Sequence, residues 1–173
     1  MKTKEMTQIA LFTALFCIMA PMSIPIGAVP ISFTNFVIYL SAYLIGTKNG
    51  TISYLLYCLL GIFGLPVFSG YTGGFAKAVG PTGGFLAGMI FTALICGMFV
   101  ERTNKKVLHF IGMCIGTLIA YLLGTVWFCI VTGQSPAAAF VVCIAPFIIG
   151  DLIKMILAIY IGNAVRNTKK ISI

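Results

Sequence analysis

Residues 146–154 read PFIIGDLIK and place one acid and one base, Asp151 and Lys154, three positions apart in an otherwise apolar run. The run opens a segment, at about 147–165, that is long and apolar enough to cross a bilayer as a helix. Ionisable side chains at membrane depth are costly, so they usually face a protein interior and mark a ligand or ion path. The stretch therefore predicts a transmembrane helix that carries the functional site.

The rest of the chain has the same membrane character. It has 173 residues, of which 60% are hydrophobic and 8% charged, and its mean hydropathy is +1.10. A bilayer core requires about 20 apolar residues per helix, so this length accommodates about six spans with short connections. No room remains for a soluble domain, and we expect a single transmembrane domain over residues 1–173.

Proline, glycine and charged residues punctuate the apolar sequence and locate the spans. We predict an all-α protein, because lipid offers backbone polar groups no partner outside their own segment and no alternating barrel pattern is present. A short helix at about 137–145 is also expected before Pro146. The spans are predicted at about 7–21, 30–46, 49–64, 83–100, 109–131 and 147–165.

Basic residues in the connections predict the orientation, because Lys and Arg are retained on the cytoplasmic side. With the N-terminus inside, Lys77 is the one basic residue in an outer connection, and both termini are predicted to be cytoplasmic. This bias disfavours the alternative of a cleaved signal peptide ending near Ala20. The net charge of +8 is spread over every inner connection, so no nucleic-acid partner is expected. The cytoplasmic group comprises Lys2, Lys4, Lys48, Arg102, Lys105, Lys106, Arg166, Lys169 and Lys170.

Cysteine, histidine and acidic residues form no catalytic or metal-binding pattern. The six cysteines have no Cys-x-x-Cys spacing, and His109, the only histidine, is expected at the membrane interface. Glu5 and Glu101 lie near the predicted cytoplasmic face, so Asp151 has no second carboxylate for acid–base catalysis. We expect no enzyme activity, no metal and no cofactor. Trp127 fits an interfacial aromatic residue.

The segment 64–84, GLPVFSGYTGGFAKAVGPTGG, is too rich in glycine and proline to form one regular helix. It contains Thr-Gly-Gly twice, each time followed by phenylalanine, which predicts two similar tight turns. A plain surface loop is the alternative. The segment is long, carries aromatic residues and lies on the same outer side as the start of the sixth span. Long structured loops of this kind are more often lids or binding loops than plain connections. We therefore predict a lid over an outer binding site.

Asp151 and Lys154 lie on one face of the sixth span, so both heads can enter one cavity. The alternative is that they only neutralise each other, since a buried pair contributes little net stability. A ligand with hydrogen-bond donors at one end and a carboxylate at the other would use them separately. Asp151 would then accept from the donors, and Lys154 would meet the anion.

Four stretches in order resemble one family: AVPISFTN (28–35), GLPVFSGYTGGF (64–75), GPTGGF (80–85) and PFIIGDLIK (146–154). They are similar to BioY, the biotin-binding S-component family of energy-coupling factor (ECF) transporters. The resemblance implies a six-helix S-component bundle in the membrane of a prokaryotic cell, with biotin held in an outward-facing pocket beneath the 64–84 loop. It also matches the family's helix-six acid and base to this chain's pair.

The resemblance suggests further site residues. Asn35 stands where the family usually has glutamine. Asparagine preserves the amide group on a shorter side chain. The glycine motif supplies Tyr71, Thr72 and Gly73 as pocket contributors. On the first helix, Ala10 and Ala14 match an Ala-x-x-x-Ala pattern that contacts the coupling transmembrane subunit, and small residues four apart do let a second helix approach closely. We therefore expect these two alanines to form a docking surface.

The partners expected from the resemblance are biotin, the ECF coupling transmembrane subunit, two ATPase subunits and membrane lipid. The sequence contains no Gly-x-x-x-x-Gly-Lys-Ser/Thr phosphate loop, so ATP hydrolysis by that mechanism requires other chains. Two alternatives stay open. One is a proton-coupled secondary transporter that uses Asp151 as a proton relay, and the other is an S-component for a different vitamin.

Overall fold

The computed structural model describes residues 3–24 and 29–171, with side chains described as far as Arg166. Helices account for most of it. The elements are α1 (Thr3–Met19), β1 (Ser23–Ile24), β2 (Ile31–Ser32), α2 (Thr34–Ile62), α3 (Phe75–Val79), α4 (Gly83–Arg102), α5 (Lys106–Thr132), α6 (Pro136–Cys143) and α7 (Phe147–Ile171). By length and composition, α4, α5 and residues 147–166 of α7 are each sufficient to cross a membrane.

Helix α2 contains two of the predicted spans, separated by a reversal at Gly46. This glycine has a φ of 80°, in the left-handed region where a side chain would be strained. A Cβ atom on Gly50 would lie 2.9 Å from Ser41 Oγ, whereas residues nine apart in a straight helix are separated by about 13.5 Å. The halves 34–45 and 47–62 therefore fold back on each other. The Glu101 carboxylate closes the reversal by accepting a bond from the Thr47 backbone N–H at 2.7 Å.

Small residues bring α4 and α5 into close contact. A Cβ atom on Gly88 would lie 2.7 Å from the Ala120 Cα atom, and one on Gly116 would lie 3.0 Å from the Thr92 Cα atom. Lipid provides no hydrophobic drive for helix association, so close packing of small residues is the usual substitute. The Thr92 hydroxyl also donates to the Gly116 carbonyl at 2.9 Å. These contacts fix α5, which carries part of the site described below.

The predicted cytoplasmic ends of the helices meet at one end of the bundle. A cavity of about 420 Å³ there is lined by Gln8, Gly46, Glu101 and Arg166, among others. This arrangement agrees with the predicted order of crossings. Lys2 lies outside the described residues, as do the side chains of Lys169 and Lys170.

His109 is buried within the protein at this end, and its expected position at the membrane interface stays a prediction. Its exposed fraction is 2%, its Nδ1 atom is 2.7 Å from the Tyr43 hydroxyl, and its Nε2 atom is 2.8 Å from the Thr103 carbonyl oxygen. Both ring nitrogens therefore have partners, so the burial leaves no polar group unsatisfied.

Two local predictions need correction. The second span was expected from residue 30, but residues 31–32 pair with 23–24 as short antiparallel strands, and the Ser32 hydroxyl accepts from the Thr34 backbone N–H at 3.0 Å where α2 begins. The second Thr-Gly-Gly copy was expected to be a tight turn, but Gly83 and Gly84 form the first turn of α4. These two helical positions require glycine, because Trp127 and neighbouring backbone leave no space for side chains there.

Candidate ligand-binding site

A cavity of about 70 Å³ lies at the outer end of the bundle, beneath the 64–84 loop. It is bounded by the β2–α2 junction, the loop and helices α4, α5 and α7. Its volume is several times the 10–15 Å³, roughly, that one water molecule requires. The lining residues are Val29, Pro30, Ser32, Thr34, Asn35, Phe68, Ser69, Lys77, Thr82, Phe85, Leu86, Met89, Tyr121, Phe147, Asp151 and Lys154.

Asp151 and Lys154 both reach this cavity from the first two turns of α7. Their exposed fractions are 4% and 8%, and Lys154 Nζ lies 3.1 Å from Asp151 Oδ1. The i,i+3 spacing places the two heads on one face of the helix, as the sequence predicts. A buried ion pair requires further hydrogen bonds to offset the loss of hydration.

Lys154 has an acceptor for each of its three N–H groups. Its ammonium group donates to the Ser32 carbonyl oxygen at 2.7 Å, to Asn35 Oδ1 at 3.2 Å and to Asp151 Oδ1 at 3.1 Å. It also lies 5.7 Å from the centre of the Phe33 ring, within range of a cation–π contact. An ammonium group has three donors and no acceptor, so Lys154 is fully satisfied by the protein and joins α7 to the start of α2.

Tyr121 of α5 completes the cluster, and sequence reasoning missed it. Its hydroxyl donates to Asp151 Oδ2 at 2.6 Å. The signal available in the sequence was a hydroxyl-bearing side chain in the middle of an apolar span. A carboxylate offers about four acceptor positions. Among the described residues, Lys154 and Tyr121 occupy one position on each oxygen, so within this part of the chain Asp151 keeps one acceptor position on each.

The loop covers the cavity with Phe68 and Ser69. The Phe68 ring is 1% exposed and meets the Tyr57 ring edge-on, with 5.6 Å between centres. Backbone bonds hold the loop on both sides: Gly70 N–H donates to the Pro21 carbonyl at 3.1 Å, and Gly74 N–H donates to the Gly61 carbonyl at 2.7 Å. The segment is thus a structured cover over the cavity, and its action as a lid stays a prediction.

Tyr71, Thr72 and Gly73 belong to this cover but do not line the cavity. Tyr71 is 67% exposed, has a φ of 56° and lines a separate groove with Pro21 and other residues. Thr72 is exposed. A side chain on Gly73 would collide with the Leu65 carbonyl group. The contribution of these three residues to ligand binding stays a prediction.

Trp127 anchors the C-terminal part of the loop. Its indole N–H donates to the Gly80 carbonyl oxygen at 2.9 Å, and its ring fills the space beside Gly83 and Gly84. An interfacial position of Trp127 does not by itself predict this hydrogen bond, because the bond depends on how the 64–84 loop folds back over α5. Trp127 therefore fixes the end of α3 nearest to α4.

Replacing Trp127 with phenylalanine is expected to loosen the loop. The substitution keeps an aromatic ring beside the glycines but removes the indole donor, so the Gly80 carbonyl keeps only the bond from the Gly83 backbone N–H among the described residues. Loss of such a bond costs about 1 kcal/mol, so amide hydrogen exchange within 64–84 should accelerate about fivefold while exchange in α2 stays unchanged. Equal protection of the loop in both proteins, measured by mass spectrometry, would contradict the anchoring role.

Ala10 and Ala14 lie far from the cavity, on an exposed face of α1. They line a largely apolar groove of about 470 Å³ between α1 and the second half of α2, together with Thr13, Cys17, Leu56, Leu59, Leu60 and Phe63. Phe63 is 85% exposed. The two alanines form a depression among larger apolar side chains, and a second transmembrane helix can pack closely against such a surface.

Comparisons with known proteins agree over nearly the whole chain. Residues 1–170 match the BioY family. A probable biotin transporter BioY of Pyrococcus horikoshii is 34% identical over 96% of this chain and 98% of its own length. The biotin transporter BioY of Thermotoga maritima is 37% identical over 92% of this chain and 94% of its own. A crystal structure of the S-component for biotin from an ECF-type ABC transporter superposes with a TM-score of 0.88 at 30% identity, over 96% of this chain and 95% of that one.

Proposed function

The chain belongs to the BioY family, and we propose that it captures biotin outside the cell as the substrate-binding subunit of an ECF transporter. It is a multi-pass protein of the prokaryotic cell membrane with the helical S-component architecture. Since the relatives are transporters, we propose that it binds and releases its ligand unchanged and has no enzymatic step.

The ligand assignment rests on the hydrogen-bond acceptor positions that remain open on the Asp151 carboxylate. Within the part of the chain that the structure describes, one acceptor position remains on each oxygen after Tyr121 and Lys154 have bonded to it. The ureido ring of biotin carries two N–H donors that point away from each other on either side of its carbonyl group, so the Asp151 carboxylate accepts from one of them in a charge-assisted bond. Phe68, Phe85 and Met89 supply apolar walls for the sulfur ring and the alkyl chain.

Lys154 and Asn35 contribute by holding the acceptor in place. The ammonium group is bonded to both side chains, so it fixes the carboxylate and the amide relative to each other. A pre-organised acceptor lowers the ordering cost of binding. We assign both residues to the substrate site on this ground, and the shorter arm of asparagine suffices because Lys154 reaches it directly.

Tyr121→Phe is expected to weaken biotin binding about tenfold while leaving the fold intact. The ring still packs, but Asp151 loses a bond of 2.6 Å that orients one of its oxygens, and hydrogen bonds to charged groups contribute about 1.5–3 kcal/mol. Isothermal titration calorimetry measures the change. Tyr160→Phe is the matched control, because Tyr160 is 77% exposed on another part of α7. An unchanged affinity in Tyr121→Phe would remove this residue from the site.

For energy supply we propose that the chain docks on a coupling transmembrane subunit that carries two ATPase subunits. The groove containing Ala10 and Ala14 is the proposed contact surface, and the surrounding lipid is displaced from it on docking. After docking, ATP hydrolysis in the partner chains drives release of biotin inside the cell.

Ligand identification tests the proposed function. The protein is purified in mild detergent from cells grown with biotin, thiamine and riboflavin, and the co-purified small molecule is identified by mass spectrometry. Biotin is the expected result, and another vitamin would keep the S-component fold but refute the ligand. Uptake into vesicles by this chain alone, driven by a proton gradient, would refute the ECF assignment in favour of a secondary transporter.

A further inference from the structure

Two lysines line the cavity, and their surroundings differ. Lys154 is buried at its inner part, whereas Lys77 belongs to α3 in the covering loop and is half-buried. The sequence alone favours Lys154 as the partner of the ligand's carboxylate. The hydrogen bonding described above assigns the two lysines different roles.

Lys154 has no donor left for an anion. Its three N–H groups bond to Ser32, Asn35 and Asp151, and its charge is balanced by the carboxylate 3.1 Å away. To bind a ligand carboxylate, it would have to give up one of these bonds inside a low-dielectric site. A buried polar group that loses its partner costs about 1–3 kcal/mol, so the arrangement disfavours that role.

Lys77 differs from Lys154 in its hydrogen bonds and in its charge balance. Within residues 3–24 and 29–166, its ammonium group has no hydrogen bond or ion pair, although the side chain faces the cavity. The chain has three acidic residues in all. Asp151 is paired with Lys154, and Glu101 is bonded to Thr47 at the other end of the bundle, while Glu5 lies near the start of α1. Lys77 is therefore a cation facing the site that no side-chain carboxylate of the described residues balances.

The position of Lys77 is fixed by contacts on both sides of α3. Before the helix, Gly74 N–H donates to the Gly61 carbonyl at 2.7 Å. After it, the Gly80 carbonyl accepts from the Trp127 indole at 2.9 Å. The Lys77 backbone N–H itself donates to the Gly74 carbonyl at 3.1 Å. A cation on a turn held in this way is presented to the cavity at low ordering cost.

The charges of the lining residues also favour an anionic ligand. Asp151 and Lys154 cancel, and Lys77 leaves one positive charge. A ligand with a single carboxylate neutralises the site, whereas a neutral ligand leaves a partly desolvated ammonium group unpaired. Resting on the proposed function, we infer that Lys77 binds the carboxylate of biotin when the loop is closed, and that Lys154 positions Asp151 and Asn35 without contacting the carboxylate.

Five proteins and two ligands test this inference. Wild type, Lys77→Gln, Lys77→Arg, Lys154→Gln and the control Lys48→Gln are titrated by calorimetry with biotin and with its alcohol derivative, in which CH₂OH replaces the carboxylate. Lys48 is exposed beside the reversal in α2, far from the cavity. A charge-assisted bond corresponds to about a tenfold to hundredfold change in affinity.

The two lysine substitutions are expected to differ in which ligand they affect. Lys77→Gln weakens biotin about tenfold to a hundredfold but leaves the affinity for the alcohol at the wild-type value, and Lys77→Arg restores biotin binding. Lys154→Gln weakens both ligands by the same factor. If Lys77→Gln weakened both ligands equally, Lys77 would have a structural role in the loop. If Lys154→Gln weakened only biotin, Lys154 would be the residue that binds the carboxylate. Either result overturns the inference. If wild type bound neither ligand, the proposed function itself would fail.

Discussion

Asp151→Asn is expected to lower the affinity for biotin about tenfold to a hundredfold without unfolding the protein. The substitution replaces an anionic acceptor by a neutral amide, so the charge-assisted bond to a ureido N–H group becomes weaker or is lost, and hydrogen bonds to charged groups contribute about 1.5–3 kcal/mol. One amide hydrogen would also face a donor of the ligand. The fold should persist, because Lys154 keeps the Ser32 carbonyl and Asn35 as acceptors.

Glu101→Gln is the matched control for that experiment. It makes the same carboxylate-to-amide change at the opposite end of the bundle, where the side chain accepts only the Thr47 backbone N–H among the bonds described. Calorimetry should give wild-type affinity for this variant, and thermal unfolding should place it near wild type. Asp151→Asn should unfold at a lower temperature, because the buried Lys154 ammonium group loses its counter-charge. Wild-type biotin affinity in Asp151→Asn would refute the assigned acceptor.

The double substitution Ala10→Leu with Ala14→Leu is expected to abolish assembly with the coupling subunit and to spare biotin binding. Both alanines are exposed, so leucine fits without disturbing the bundle but fills the groove between α1 and α2. Overpacking a helix interface costs about 1–3 kcal/mol at each position, which corresponds to a loss of association of roughly a hundredfold or more. Co-purification with the tagged coupling subunit provides the measurement.

Ala137→Leu supplies the comparison, since Ala137 is equally exposed but lies on α6 at the outer end. This variant should assemble normally. Calorimetry on the double variant must return the wild-type affinity for biotin, because the groove and the cavity share no residue. An intact complex with the double variant would show that the partner docks elsewhere.

The arrangement of helices followed from the sequence to a large extent. Apolar length located the spans within a few residues, because a membrane helix must satisfy its own backbone. The reversal at Gly46 was marked by the nearby lysine and glycines. The short strands before α2 were not predicted, since two residues per strand leave too little periodicity to recognise.

The sequence by itself determined that an acid and a base share one face of the last helix, because three positions along a helix fix that geometry regardless of what surrounds it. The tertiary structure decided which of their bonding positions remain open. Tyr121, Ser32 and Asn35 come from other parts of the chain, and only packing brings them to Asp151 and Lys154. For the same reason, the free donors of Lys77 and the burial of His109 could not be foreseen: a hydrogen bond depends on distances between atoms far apart in sequence, and local pattern does not encode them.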